Sequence, residues 1–432
     1  MIQSYWLETY GCQMNVAESN ALELQLRGAG LVPSDTAENA DCAILNTCSV
    51  RKSAENRIWG RLGFFSHVKT LHPLTLIVTG CMAERLLEDM KKEAPQVDYV
   101  IGNNDKQKIV EVLTSAEGKL SEHLDSYGFG STYYKTGDYT SYIPIMNGCN
   151  NFCSYCIVPY VRGREISRPI ADILEEVAFL SSKGVKEVTL LGQNVNSYRY
   201  NENGTIVTFP DLLKRICAVA GDISWIRFES PHPKDFSDSL IKVIKEETKV
   251  AKHLHIPMQS GNTRILTLMN RRYSRESFQD LIRKIRSEIP QVTFATDVMV
   301  GFPSETDKEY EETLSLLDEM GCIEAFMYYW NPREGTKAVD MEGQLEETVK
   351  GKRLEQLIAL QHEIFAREKT KRTHGVVSVL VNQVSRNDKT QMLGRTEHNE
   401  MVVFTGNSKI GSLVSVELDG MNGNTYVGKL VE

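Results

Sequence analysis

Between Tyr5 and Met90 one arrangement occurs three times: a short apolar run, a cysteine just past its end, then apolar residues at helical spacing. Tyr5 to Tyr10 is followed by Gly11-Cys12-Gln13-Met14-Asn15 and a helix through Leu22, Leu24 and Leu26, which Asn15 is placed to cap. Cys42 to Leu45 reads as a short buried strand, Asn46-Thr47-Cys48 as its loop and Arg51 to Leu62 as the helix. Leu74 to Val78 leads to Thr79-Gly80-Cys81 and a helix through Leu86, Leu87 and Met90. Strand and helix in alternation predict an open parallel α/β sheet, in which ligands bind beyond the carboxyl ends of the strands. Cys12, Cys48 and Cys81 stand where three thiols can converge. Taken singly they read as small buried side chains; at three equivalent places they read as ligands of one metal centre.

From 112 to 140 the chain holds Gly, Ser, Tyr and mixed charge without sustained periodicity, and 119–140 is expected to be a linker. Six apolar runs follow: Tyr142 to Met146, Val188 to Leu191, Trp225 to Phe228, Leu254 to Met258, Thr293 to Val300 and Ala325 to Trp330, with helical patterns between them. One such helix runs from Pro169 to Leu180, with Pro in its first turn. Another opens on Thr306 and Glu309 at capping-box spacing. Six strand–helix units are fewer than the eight of a closed barrel, so 141–342 is expected to form an open partial (β/α)6 barrel with its active face at the strand carboxyl ends. Residues 343–372 predict one connecting helix, with Leu354, Leu357, Leu360 and Ile364 on one side. In 373–432 short strands alternate with Gly, Asn and Asp turns (Val376 to Val381, Met401 to Phe404, Leu413 to Leu418, Thr425 to Val427), which predicts a small β-barrel. The expected class is α/β: an open parallel domain over 1–118, the linker, the partial barrel, the helix, and the β-barrel.

Composition narrows the setting. The 432 residues are 41% hydrophobic and 25% charged, which fits globular domains and not wholesale disorder. The start lacks a basic segment followed by an apolar core, and no run approaches the roughly 20 apolar residues of a membrane span, so a cytoplasmic protein with no membrane partner is expected. A net charge of -8 argues against general nucleic-acid coating, although nine basic against seven acidic residues from Arg367 onward leave a local +2. Nine cysteines make an odd number. Cys42, Cys217 and Cys322 lie in or beside apolar periodic segments and are assigned to cores; the other six lie beside turn-forming residues and suit reduced ligands better than disulfides.

The densest chemistry is Cys149-Asn150-Asn151-Phe152-Cys153-Ser154-Tyr155-Cys156, at the end of the first barrel strand. Zinc sites and ordinary ferredoxin clusters take four protein ligands, so three close thiols leave one coordination position for something else. A zinc knuckle closed by a distant Cys or His is the plainer alternative. The other strand ends are polar or glycine-bearing: Leu191-Gly192-Gln193-Asn194, Phe228-Glu229-Ser230, Pro257-Met258-Gln259-Ser260-Gly261 and Val300-Gly301-Phe302-Pro303. Each alone suits ordinary turn chemistry.

The cysteine spacing, with Tyr155 before the last thiol, resembles the radical S-adenosylmethionine (SAM) superfamily. That resemblance implies a 4Fe-4S cluster on Cys149, Cys153 and Cys156 whose open iron binds SAM. It also implies Tyr155 at the adenine, with Gly192, Gln193, Ser230, Gln259 and Gly301 lining the rest of SAM. The tail, with Gly394-Arg395-Thr396, resembles the RNA-binding TRAM barrel. The order of parts resembles the methylthiotransferases over nearly the whole chain, and Tyr10 to Asn15 with Gly192 to Tyr198 are most similar to the branch acting on isopentenyladenosine in transfer RNA. This implies a second 4Fe-4S cluster on Cys12, Cys48 and Cys81, and methylthio transfer to carbon 2 of N6-isopentenyladenosine 37 in the anticodon stem-loop. An external reductant and sulfur donor are implied as partners, and a monomer is expected. Unpaired loop bases can be splayed out for such chemistry. Arg271, Arg272, Tyr273 and Arg395 are candidate RNA contacts; for the first three the alternative is an exposed helix junction. Related branches act on threonylcarbamoyl-adenosine or a ribosomal-protein aspartate. A reading of another class is an RNA-binding iron-sulfur electron carrier.

Overall fold

The three strand–cysteine–helix repeats form as a parallel sheet. In the computed structural model, which describes residues 2–49, 52–115 and 127–431, β1 (Ser4–Thr9), β2 (Val32–Pro33), β3 (Cys42–Thr47), β4 (Thr75–Gly80) and β5 (Tyr99–Ile101) lie in the order β2-β1-β3-β4-β5. Between them run α1 (Gln13–Gly28), α2 (Lys52–Leu71), α3 (Cys81–Arg85) and α4 (Leu87–Glu93); α5 (Lys108–Thr114) follows. The central strands carry apolar residues in succession, Cys42 to Leu45 and Leu76 to Val78, because both faces are covered. Leu45, Leu76 and Val78 pack against Ile58, Leu62 and Phe65 of α2. Ile44 and Ile77 pack against Leu22 and Leu26 of α1 and Ile109 and Val112 of α5. Each such fully buried side chain contributes roughly 1.5–3 kcal/mol.

Two local expectations are corrected. Cys12, not Asn15, is the N-cap residue of α1, and it makes no side-chain cap. Asn15 is buried inside the first turn, where its amide donates to the carbonyls of Tyr10 and Thr47 at 2.8 and 2.9 Å. The helix after Cys81 breaks at Leu86. Arg51, the expected start of the second helix, and residues 116–126, which include part of the expected linker, lie outside the described residues. Tyr127, within that linker, is buried against Glu18.

The chain divides into two units. The first is Met1–Lys135, Tyr142–Asn150 and Ile157–Arg168; the second is Thr136–Ser141, Asn151–Cys156 and Pro169–Glu432. The boundary crosses β6 (Thr140–Pro144) and the cysteine loop. To the first unit also belong β7 (Met146–Asn147), α6 (Val158–Val161) and β8 (Ile166–Ser167).

In the second unit α7 (Ile170–Ser182) precedes β9 (Glu187–Leu191), then the hairpin β10 (Arg199–Glu202) and β11 (Thr205–Thr208), α8 (Phe209–Val219), β12 (Trp225–Phe228) and α9 (Asp238–Glu246). Next come β13 (His253–His255), α10 (Thr263–Leu268), α11 (Arg275–Glu288), β14 (Thr293–Val300), α12 (Asp307–Met320) and β15 (Glu324–Tyr329). β9 pairs parallel with β12, and β14 pairs parallel with both β13 and β15. Among the described residues the backbones of the two sets are joined by the isolated bridge Ile226–Val250 and not by a continuous ladder, so the barrel is partial. The expected Thr306/Glu309 capping box is present on α12. Helix α13 (Glu347–Thr370) is tied down by polar groups as well as by Leu357 and Ile364: Arg353 bonds Glu305 and Asp307 at 2.8 and 2.7 Å.

The tail closes into a five-stranded barrel in the order β16 (Gly375–Val384), β17 (Gln391–Thr396), β18 (Met401–Thr405), β20 (Thr425–Leu430) and β19 (Leu413–Asn422). Val379, Val381, Phe404, Val416 and Tyr426 fill it. Leu380 points outward onto Trp225, Ala251 and Tyr139, which fixes the tail to the β9/β12 sheet.

Candidate metal centres

The first unit brings its three cysteines to adjacent strand tips. β1, β3 and β4 are neighbours, with Thr9 opposite Asn46 and Thr47 opposite Gly80, and Cys12, Cys48 and Cys81 follow within a few residues. Gly11 has φ +117, and a Cβ there would stand 2.8 Å from Cys48 Sγ and closer still to its Cβ. Gly80 has φ +96, and its Cβ would meet the backbone of Thr47, with the nitrogen at 2.6 Å. Only glycine suits these conformations, and its missing side chain is what lets the tips close on one another. Cys48 and Cys81 are buried and Cys12 is exposed. A donor set of three thiols with one side open fits a cluster that keeps an accessible iron. Asn103 Nδ2 lies 3.9 Å from Cys81 Sγ. Behind the thiols Arg162 is buried, its guanidinium on Glu18, Asn147 and Asn15. Cys42, Cys217 and Cys322 are buried as expected, and burial pushes the Cys217 and Cys322 thiols up to about 12.

Cys149, in the first unit, is buried and donates its N–H to Gly163 at 3.1 Å. In the second unit Asn151–Cys156 is held by the turn after α10. Asn270 Nδ2 donates to the carbonyls of Asn151 and Phe152, the Ser154 N–H donates to Met269, and Ser154 Oγ donates to Leu268. Tyr155 meets Phe302 edge to face at 6.5 Å, and burial raises its hydroxyl pKa well above the usual range.

The expected SAM-lining residues occupy strand tips, and several have left-handed backbones. Gly192 and Gln193 follow β9 and are half-buried. Ser230 follows β12 with φ 60, Gln259 lies four residues past β13 with φ 62, and Gly301 directly follows β14 with φ 70. Phe152, Asn270, Arg272 and Ser304 also have positive φ, between 48 and 63. Such non-glycine positions cost about 1–3 kcal/mol each and concentrate where a ligand is held. Asn194 Oδ1 and His232 Nε2 are buried with no partner among the described residues. Unpaired polar groups at these tips fit a polar ligand such as SAM.

Sequence reading missed two elements of this site. His255 Nδ1 is 3.0 Å from Glu229 and its Nε2 2.8 Å from Asp297, with its ring 5.4 Å from Phe326. Burial alone would lower the imidazole pKa, but the two carboxylates raise it to about 10. His232 packs on Tyr273 at 5.6 Å, and burial with the Arg271, Lys234 and Arg272 cations takes it down to about 2. The usable signal was a polar residue at or just past the ends of β12 and β13, Glu229 and His255, with another, Asp297, inside the apolar run of β14.

Three of the four candidate RNA contacts bond within the protein. Arg271 is 6% exposed, and its nitrogens reach Tyr273 Oη at 3.2 Å, Cys153 Sγ at 3.6 Å and the Pro257 carbonyl at 3.2 Å. Its side chain is buried against the cysteine loop, whereas Arg272 beside it is exposed. The Tyr273 hydroxyl donates to Pro257 and Met258. Arg395 pairs with buried Glu187, which also holds Arg227 at 2.8 Å, so it fastens the tail to β9.

Among the described residues no three of His, Cys, Asp or Glu are grouped to hold a metal ion. A four-iron cluster takes each thiolate on a different iron and so needs a wider set. Nor is any described helix long and apolar enough to cross a membrane.

A partial parallel barrel with a three-cysteine loop after its first strand defines a radical SAM enzyme. The sequence model of the Radical SAM superfamily matches residues 143–317, and that of Uncharacterized protein family UPF0004 matches 4–102. At the level of fold, the chain is similar to the radical S-adenosylmethionine methyltransferase TsrM from Kitasatospora setae, with TM-score 0.60 and 13% identity over 78% of this chain and 74% of that one. The tRNA-2-methylthio-N(6)-dimethylallyladenosine synthase of Treponema pallidum (strain Nichols) is 43% identical over 99% of both chains. Those of Bacteroides fragilis (strain ATCC 25285) and Clostridium botulinum (strain Loch Maree / Type A3) are 42% and 40% identical, over 99% of this chain and 95% and 97% of theirs. This chain belongs to the radical SAM tRNA-2-methylthio-N(6)-dimethylallyladenosine synthase family. Membership of the superfamily implies a 4Fe-4S cluster and SAM.

Proposed function

We propose that this enzyme adds a methylthio group to carbon 2 of N6-isopentenyladenosine 37 in the transfer-RNA anticodon stem-loop. The observation that carries the reading is the identity, over 99% of this chain, to synthases bearing that product's name. When bound, a cluster on Cys149, Cys153 and Cys156 would supply the SAM-derived radical, and one on Cys12, Cys48 and Cys81 the sulfur. The protein's part is to bind, orient and shield, because carbon 2 of adenine offers no proton for a general base to take usefully. Tyr155, Gly192, Gln193, Ser230, Gln259 and Gly301 are the proposed SAM contacts. Arg271 steadies the loop through Cys153.

The proposed domain limits are 118, 140, 342 and 372, with the tail barrel contributing RNA affinity. Of the four candidate RNA contacts, exposed Arg272 is retained. The reductant and sulfur donor are proposed to be external, the protein a monomer, and its place the cytoplasm.

The test is turnover on three matched stem-loops. An isopentenyl group offers about 0.8 kcal/mol per buried methylene-sized unit, several kcal/mol in all. A threonylcarbamoyl carboxylate must be desolvated. Isopentenyladenosine should be the substrate, unmodified adenosine a poor one, and threonylcarbamoyl-adenosine nearly inert. Preference for the last would overturn the substrate, and absence of 5'-deoxyadenosine with SAM and reductant would overturn the enzyme reading altogether.

A further inference from the structure

Arg162 is six residues beyond Cys156 in sequence, yet its side chain is built into the first unit. The guanidinium is 3% exposed. Nη1 donates to Glu18 Oε1 at 2.6 Å and Asn147 Oδ1 at 2.9 Å; Nη2 donates to Asn15 Oδ1 at 3.0 Å and Glu18 Oε2 at 3.3 Å. The backbone is fixed as well. The Arg162 N–H donates to Val158, and its carbonyl accepts from Asn147 Nδ2 at 3.1 Å. The preceding turn is seated on the thiol site: Ile157 and Val161 pack on Cys81, and Asn103 Nδ2, 3.9 Å from Cys81 Sγ, donates to the Val161 carbonyl at 2.7 Å.

The charges of this cluster do not cancel. Glu18, 4% exposed, faces two cations, Arg162 and Lys106, and also accepts from the Tyr127 hydroxyl at 3.0 Å. Burial raises the Glu18 carboxyl pKa, but the two cations outweigh it and bring it to about 2, so it carries one full negative charge. Among the described residues no other carboxylate bonds to either cation, so these three groups together carry one positive charge. A buried cation needs an anion. Burial disfavours the charged guanidinium, and among the groups that favour it are Cys81, Glu18 and Cys12.

We propose that Arg162 is a positioning residue for the Cys12, Cys48 and Cys81 site: its guanidinium supplies the buried positive charge that a three-thiolate cluster requires, and Glu18 sets how much of that charge is left over. Reducing a cluster adds one negative charge, so the surplus favours the reduced form. Asn147 and Asn15 each accept from one of its two terminal nitrogens and so hold the guanidinium in place. The inference deepens the proposed function and rests on its reading of these three cysteines as cluster ligands.

The test uses the full chain with Cys149, Cys153 and Cys156 replaced by Ala, so that only the first-unit cluster can assemble. After anaerobic reconstitution, the reduced-cluster EPR signal is titrated against potential. In Arg162→Gln the fraction reduced at the parent midpoint should fall from one half to about a tenth, a shift near 59 mV for a tenfold change in a one-electron couple. Glu18→Gln should shift the midpoint the other way. Arg162→Lys keeps the charge and should stay near the parent. Glu18→Gln combined with Arg162→Gln leaves no carboxylate opposite a missing partner and restores the net charge, so it should fold and return toward the parent midpoint. Shifts of one sign in both single variants, or none, overturn the inference and leave Arg162 a structural brace. Absence of iron in the Arg162-intact chain overturns the underlying reading of the cysteines, which is a distinct result from iron-loaded protein with an unmoved potential.

Discussion

Gly11→Ala isolates what the strand tip contributes to the first thiol site. Two effects combine there. The backbone at φ +117 disfavours any L side chain, and the new Cβ would stand 2.8 Å from Cys48 Sγ. Backbone strain of about 1–3 kcal/mol and overpacking of about 1–3 kcal/mol give roughly 2–6 kcal/mol. Against a typical domain stability of about 5–15 kcal/mol this is a large fraction. Gly30→Ala is the matched control, because Gly30 has φ +86 in the same unit with nothing within 4 Å of its Cβ position; it keeps only the strain, about 1–3 kcal/mol. Both variants are made in the chain lacking Cys149, Cys153 and Cys156, unfolded in urea without metal, and reconstituted for iron and sulfide analysis. Gly30→Ala should retain parent iron, while Gly11→Ala should lose more than half, because Cys48 must move for the new methyl to fit. Equal destabilisation of the two with full iron in Gly11→Ala would refute the view that this glycine shapes the ligand set.

Further outcomes are expected in the second unit. The His255 pKa is raised from 6.5 to about 10 by Glu229 and Asp297, so its stabilisation is complete below pH 6.5 and lost as pH rises toward 10. The urea stability gap between the parent and His255→Gln should narrow by roughly 2–4 kcal/mol from pH 6.5 to 9.5, and a flat gap would contradict the pairing. Arg395→Ala leaves Glu187, 3% exposed, with Arg227 alone; it should lower urea stability by about 2–4 kcal/mol and leave the RNA affinity of the folded protein unchanged. Lost affinity without lost stability would return Arg395 to an RNA-facing role. On the tail, exposed Arg386, Lys389 and Lys409 suit a salt titration. Each one that meets a phosphate should, when changed to Gln, reduce the slope of log affinity against log salt by about 0.7, and three unchanged slopes would count against RNA binding by the barrel. Deleting the tail is a poorer test, since Arg227 would lose its bonds to the Thr396 and Glu397 carbonyls.

What the sequence revealed, and what it hid, follows from the range of the interactions. The strand–cysteine–helix repeats were legible because both sheet faces are covered, which leaves uninterrupted apolar runs, and because each thiol follows its strand within a few residues. Strand β17 was not: its inward positions are Met392, Gly394 and Thr396, so only one of three is a large apolar residue. Arg271 was read as surface because Arg-Arg-Tyr between two helices is polar. The left-handed residues on either side, Asn270 and Arg272, turn it inward onto Cys153, and no local pattern announces that. The group formed by Glu229, His255 and Asp297 comes from the ends of two strands and the middle of a third, a juxtaposition that only the sheet register creates.

The left-handed backbones at Phe152, Ser230, Gln259, Asn270, Arg272 and Ser304 also bear on how this enzyme can change. Glycine adopts that conformation without the roughly 1–2 kcal/mol that an L side chain incurs. A selection for heat resistance alone would therefore favour Ser230→Gly and Gln259→Gly among the others, and these two are the positions proposed to meet SAM. Thermal adaptation of this enzyme has to leave these two tips alone, because there tolerance of heat and turnover compete for the same side chains.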